Sequence, residues 1–244
     1  MKRFFFLVPF LFLFGNVDAQ LFKVFGHDVG FIYVGPKVGM TYSTISNFSD
    51  LTGSDTKSKF GYQFGAVGEF GFTSKFSIQT ELLFYSRGVR YEDIDGGVRM
   101  NYIGIPLLAK YSFKVLGLTK FYAMGGTFAD IRTKGEWYDG NGQTSDLGSG
   151  FKKYDWGFSF GAGAEYPMKK GIWALDIRYN LGITDLHDDA GDDTKTRSRS
   201  FGFALTYKFD VIDIFRGLKK KEAKKESTES TEGKSKAKGL KVEG

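Results

Sequence analysis

Residues 154–183 read YDWGFSFGAGAEYPMKKGIWALDIRYNLGI, and the alternation within them decides the fold. Tyr154, Trp156, Phe158, Phe160, Ala162, Ala164 and Tyr166 fall on one face of an extended chain, and Asp155, Gly157, Ser159, Gly161, Gly163 and Glu165 on the other. Past Pro-Met-Lys-Lys-Gly the pattern resumes, with Trp173, Leu175, Ile177, Tyr179, Leu181 and Ile183 set against Ala174, Asp176, Arg178, Asn180 and Gly182. A period of two sustained this long is a strand signature. The open question is which face meets solvent.

Segments of the same period recur along the chain, at 33–45, 59–72, 76–87, 99–113, 120–132, 154–167, 171–183 and 199–209, eight in all. Each is at least as long as the ~9–11 residues that a tilted strand needs to cross a bilayer. The gaps alternate. NFSDLTGSDTKS, GVRYEDIDGGV, TKGEWYDGNGQTSDLGSGFKK and TDLHDDAGDDTKTRS are long, whereas TSK, KVLGLT and MKK are short. A soluble sandwich has no reason to gather every long connection at one end, but an outer-membrane barrel does. The apolar face carries Val34, Val38, Met40, Phe60, Phe64, Phe84, Ile105, Leu107, Trp156, Phe160, Phe201 and Phe203, more rings than the lumen of eight strands can hold. The faces are therefore inverted: large apolar residues meet lipid, while glycine and charge fill the interior. Closure into a barrel also satisfies every backbone group in hydrocarbon. The expected fold is all-β, an eight-stranded antiparallel transmembrane up-and-down barrel over residues 33–209.

Composition agrees, with 26 Phe, 13 Tyr and 33 Gly against 4 Pro. The absence of cysteine excludes disulfides, thiolate metal sites and a lipidated N-terminal cysteine. Lys2 and Arg3, the apolar run 4–14 and the small residues before Gln20 predict a signal peptide over 1–19, then a periplasmic extension over 20–32. The net charge of +6 is concentrated in the tail, where ten Lys or Arg and five Glu follow residue 215. The remainder is close to neutral, which argues against a nucleic-acid partner. The tail, residues 210–244, is too polar to build a core. Its lysines, Lys219, Lys220, Lys221, Lys224 and Lys225, are candidate docking residues for a periplasmic partner, either a protein or peptidoglycan, with Val211, Ile212, Ile214, Phe215 and Leu218 as a short interfacial helix.

Catalytic patterns are weak. His27 and His187 fall on opposite sides of the expected membrane and build no metal pair or triad. The glycine runs at 65–71 and 161–167 do not open helices, so they read as relief of crowding and not as phosphate loops. The aspartates of 185–194 supply oxygen at a density that suits calcium, but without the EF-hand spacing. Inward charges form the main candidate site: Lys37, Glu69, Glu81, Lys110, Glu165, Asp176 and Arg178, four acids and three bases that must pair in a low-dielectric lumen. Glu81 with Glu165 is the conceivable carboxylate pair of a hydrolase, yet no nucleophile accompanies it. A structural plug is the expected role, with Arg178 among Glu81, Glu165 and Asp176. The chain reads as non-enzymatic and cofactor-free.

RMNYIGIPLLAKY at 99–111, FGAGAEYP at 160–167, LDIRYNLGITDL at 175–186 and VGPKVGMTYSTI at 34–45 together resemble the PorT-type outer-membrane β-barrel family of Bacteroidota, over roughly residues 30–209. The resemblance implies a small non-enzymatic barrel in contact with outer-membrane lipid, and a role in type IX protein secretion. An OmpA-like anchor or adhesin, or a narrow porin, is the alternative. The tail of about 35 residues is a departure from the family pattern. Both termini are expected in the periplasm.

Overall fold

The computed structural model describes residues 23–24, 27–28, 30–92, 95–117, 119–148, 150–187, 195–212 and 214. The expected signal peptide and nearly all of the tail, including Lys219, Lys220, Lys221, Lys224 and Lys225, lie outside the described residues. So do residues 188–194 of the acidic loop.

Eight long strands follow one another around a ring: β1 Phe31–Ile45, β2 Thr56–Gly71, β3 Phe76–Tyr91, β4 Gly96–Leu116, β5 Thr119–Asp139, β6 Tyr154–Met168, β7 Gly171–Gly182 and β8 Ser198–Asp210. Each pairs antiparallel with its successor, and β8 returns to β1, with Val34 opposite Phe209 and Thr41 opposite Gly202. No edge strand is left open, so main-chain groups pair from strand to strand around the ring. A three-residue strand, Thr144–Asp146, lies against the far end of β5.

The faces sort as the alternation requires. Lys37 is 1% exposed, whereas its neighbour Val38 is 55% exposed and Phe60 is 69% exposed. Trp156, Phe160, Leu175, Ile177, Phe201 and Phe203 all point outward, with Phe31, Tyr33, Tyr166, Trp173, Tyr207 and Phe209 grouped toward the short-turn end. Such a surface is stable only against lipid.

Strand lengths depart from the sequence reading. The third expected gap, 88–98, is strand up to Tyr91 and again from Gly96, and β4 and β5 run 21 residues each. A bilayer accounts for about half of that length. Residues 96–102 and 132–139, with the ends of β2 and β3, therefore stand beyond the apolar belt. Two irregularities mark the transition. The β2–β3 register shifts between Ser58 and Gln63. On β5, Thr133 is an extra residue between the pairs Tyr102–Arg132 and Asn101–Lys134, its hydroxyl donating to the Asn101 carbonyl at 3.1 Å. Each shift exchanges inward and outward positions along the strand.

The long connections are not loose. A short helix, α1 Phe48–Thr52, begins after Asn47 in a left-handed conformation (φ 56°) and ends at Gly53 (φ 67°). It swings Phe48 over the barrel mouth, where Phe48 is fully buried beside Ile45, Val89, Val98, Met100, Leu147, Phe151 and Leu186. The Phe48 ring lies 6.0 Å from Trp137 and 6.2 Å from Phe151, centroid to centroid. The connections are laced together by main-chain bonds: Ser46 to Arg197 at 2.9 Å, Leu147 to Gly135 at 3.0 Å and Lys152 to Leu186 at 2.8 Å. An apolar lid thus closes the long-loop end.

Candidate functional site: a lumen of tiered ion pairs

Inward alternation delivers charge to the lumen from every side, and strand register sorts it into three tiers. Nearest the short-turn end, Glu69 of β2 and Glu165 of β6 face Lys110 of β4 and Lys208 of β8. Lys110 lies 3.1 Å and Lys208 2.5 Å from Glu69, and both lysines also pair with Glu165. The Ser77 hydroxyl donates to Glu69 at 2.7 Å. At mid-height, Lys37 of β1 reaches Glu81 of β3 at 3.1 Å and Asp176 of β7 at 3.0 Å. Arg178 grips both oxygens of Glu81, at 2.9 and 2.7 Å, and stands 3.6 Å from Asp176. Gln79 adds an amide N–H to Glu81 at 2.6 Å. Under the lid, Arg87 of β3 meets Asp130 of β5 at 2.9 Å and Asp155 of β6 at 3.5 Å, its guanidinium 4.5 Å above the Tyr85 ring. Ser198 donates to Asp155.

The lower and middle tiers each balance two acids with two bases. That is the condition under which burial of charge is tolerated, because an unmatched ion in such surroundings costs several kcal/mol. The seven residues Lys37, Glu69, Glu81, Lys110, Glu165, Asp176 and Arg178 are all buried. They divide between two tiers, and one expectation is overturned. Arg178 does not sit with Glu165. Arg178 lies opposite Gly161, and Glu165 is four residues further along β6, ~13 Å away at ~3.3 Å per residue. Glu81 and Glu165 are accordingly held in separate clusters, and both oxygens of Glu81 are already taken by cations and an amide. This is a brace; the carboxylate pair of a hydrolase is not assembled.

Sequence reasoning missed four charges: Arg87, Asp130, Asp155 and Lys208, each 5% exposed or less. Their signal was phase. Arg87 is in step with Glu81, Asp155 with Ser159 and Lys208 with Thr206, but all four stand near the ends of the alternating segments read from sequence, where inward and solvent-facing charge look alike. Between the middle and upper tiers lies a cavity of about 20 Å³, bordered by Thr41, Gln63, Arg87, Asp130, Arg178 and Asn180. That is the scale of a water site.

In the acidic loop, the Asp185 carboxylate accepts from the Thr196 main chain at 3.0 Å and from the Thr196 hydroxyl at 3.2 Å, so it braces its own loop. Among the described residues, no group of three His, Asp or Glu is placed to hold a metal ion. The start of the tail follows Asp210, whose carboxylate accepts from the Ile212 N–H at 2.9 Å as helical backbone begins.

Comparison with known proteins places the chain among membrane barrels. The family model described as outer membrane protein beta-barrel domain matches residues 19–188. No curated protein matches the chain. Among solved structures, it is similar to OprG from Pseudomonas aeruginosa (15% identity, TM-score 0.44, covering 77% of this chain and 99% of that one). It is also similar to Neisserial surface protein A (15%, 0.44, 73% and 97%). A third is Ail, the attachment invasion locus protein of Yersinia pestis, solved with the heparin analogue sucrose octasulfate (13%, 0.39, 73% and 99%).

Proposed function

Since the chain belongs to the outer membrane protein beta-barrel domain family, we propose that it is a non-conducting structural component of the outer membrane, serving as an accessory barrel of type IX protein secretion. The observation that supports the non-conducting role is the filled lumen, where tiers of ion pairs stand under an apolar lid. A barrel built this way acts through its surfaces. The resemblance to the PorT-type family supplies the secretion assignment, and the cationic tail supplies a docking element, through Lys219, Lys220, Lys221, Lys224 and Lys225, for a secretion protein or peptidoglycan. Both termini then face the periplasm, and the long-loop end faces outward.

The test is deletion of the gene followed by assay of secreted cargo, with complementation by the full chain and by a chain cut at Arg216. Loss of secretion in the deletion strain, restored only by the full chain, is the expected result. Normal secretion in the deletion strain removes the assignment. A second reading, an anchor or adhesin working through its outer surface, is favoured by one observation: the lid fixes three long connections into a single cap. That reading predicts normal secretion together with loss of surface attachment on deletion.

A further inference from the structure

Just past the apolar belt, the outward face of β2–β5 gathers cations. Lys57 and Lys59 lie on β2, Arg90 on β3, Arg99 on β4 and Lys134 on β5. Two carboxylates lie among them: Glu92 pairs with Lys57 at 2.7 Å, and Glu136 pairs with Lys134 and, at 3.4 Å, with Arg99. Five cations thus face two carboxylates, and among the described residues Lys59 and Arg90 have no acidic partner. Further acids, Asp55, Asp95 and Asp139, stand at the turns beyond.

The centre of this patch is built. The Lys59 ammonium sits 3.7 Å above the ring of Tyr138, and the Arg99 guanidinium 5.9 Å from the same ring. Arg90 lies opposite Gly97, which lies opposite Tyr138. A Cβ at Gly97 would come within 2.2 Å of the Val89 carbonyl oxygen and 2.9 Å of the Tyr138 hydroxyl, so the glycine leaves room for the Tyr138 side chain on this face. Like charges held together on one face are relieved by an anion.

We propose that Lys59, Arg90 and Arg99, over the Tyr138 ring, form a binding site for the phosphate groups of an anionic glycolipid in the surrounding leaflet. Position selects the lipid over a soluble anion. The site shares its face with Phe60, Phe84, Ile105 and Ile131, which are lipid-exposed, and not with the lumen. Arg99 is four residues along β4 from Ile103, ~13 Å at strand spacing, which places it at headgroup height. The inference needs the barrel in its membrane and takes from the orientation proposed above only that the leaflet is the outer one. It is independent of any part in secretion.

The experiment uses the full-length barrel in neutral detergent, titrated with diphosphoryl lipid A and read by native mass spectrometry. A triple variant, Lys59→Gln, Arg90→Gln and Arg99→Gln, is expected to lose about tenfold or more in affinity, the scale of lost charge-assisted bonds. Lys134→Gln, on the rim and already paired, is expected to stay within about twofold, because exposed pairs contribute little. Heat-modifiable gel mobility checks that each variant is folded. Equal affinity of wild type and triple variant overturns the proposal. Displacement of the lipid by inorganic phosphate at equal concentration also overturns it, in favour of a soluble-anion site. Secretion assays report separately on the function proposed above.

Discussion

Removing Arg178 tests whether the lumen is held by balanced charge. Arg178 donates to both oxygens of Glu81 at 2.9 and 2.7 Å and approaches Asp176 at 3.6 Å, and it is 5% exposed. In Arg178→Ala, Lys37 alone must serve two buried carboxylates. Breaking one partner out of a buried pair costs about 3–5 kcal/mol, and a urea slope of ~2 kcal/mol per molar turns the middle of that range into a midpoint shift of roughly 2 M. The double variant Arg178→Met with Glu81→Gln removes one base and one acid together, leaving Lys37 paired with Asp176. It should therefore be less damaged than the single variant, since isosteric removal of a whole pair is often near neutral. Urea unfolding in phospholipid vesicles measures both, followed by heat-modifiable mobility and by the fluorescence of the lipid-facing Trp156 and Trp173. A single variant within about 1 kcal/mol of wild type, or a double variant worse than the single, refutes charge balance as the reason these groups are tolerated.

Three further outcomes follow from the geometry. Phe48→Ala empties the centre of the lid and should cost about 3–5 kcal/mol, with faster protease cleavage of the connection at 46–55 as an independent readout. Gly104→Val should block folding to the heat-modifiable form, because a Cβ there comes within 2.6 Å of the Tyr85 ring and collides with the Asp130 carboxylate. Lipid A affinity should fall as salt rises, because the phosphates are held by exposed charge.

The barrel was legible because lipid imposes one rule on every strand for as long as the strand stays in hydrocarbon. Residues 154–183 obey it without a break, and β6 and β7 appear where the alternation placed them. The rule lapses beyond the belt. There both faces tolerate polarity, and the extra residue at Thr133 puts Glu136 and Tyr138 out of step with Phe128 and Asp130, so 88–91, 96–98 and 133–139 read as loops although they are strand. The lid was hidden for a related reason. Phe48, Leu147 and Leu186 are single apolar residues in polar connections, and a single residue has no period. The inward charges were legible as a set, but their partners depend on register, which is why Glu165 goes to Lys110 and Lys208 instead of Arg178.

The lid has a consequence for how long the protein survives in its membrane. Its residues come from connections as distant as Phe48 and Leu186, so it cannot form until the seventh strand is in place. It therefore closes late, as a latch on the far side of the step it follows. Contacts made after the rate-limiting barrier add little to the speed of insertion, but they must be undone before the barrel can leave, so they slow extraction. The buried side chains around Phe48 thus slow loss of the inserted barrel from a membrane whose lipid they never touch.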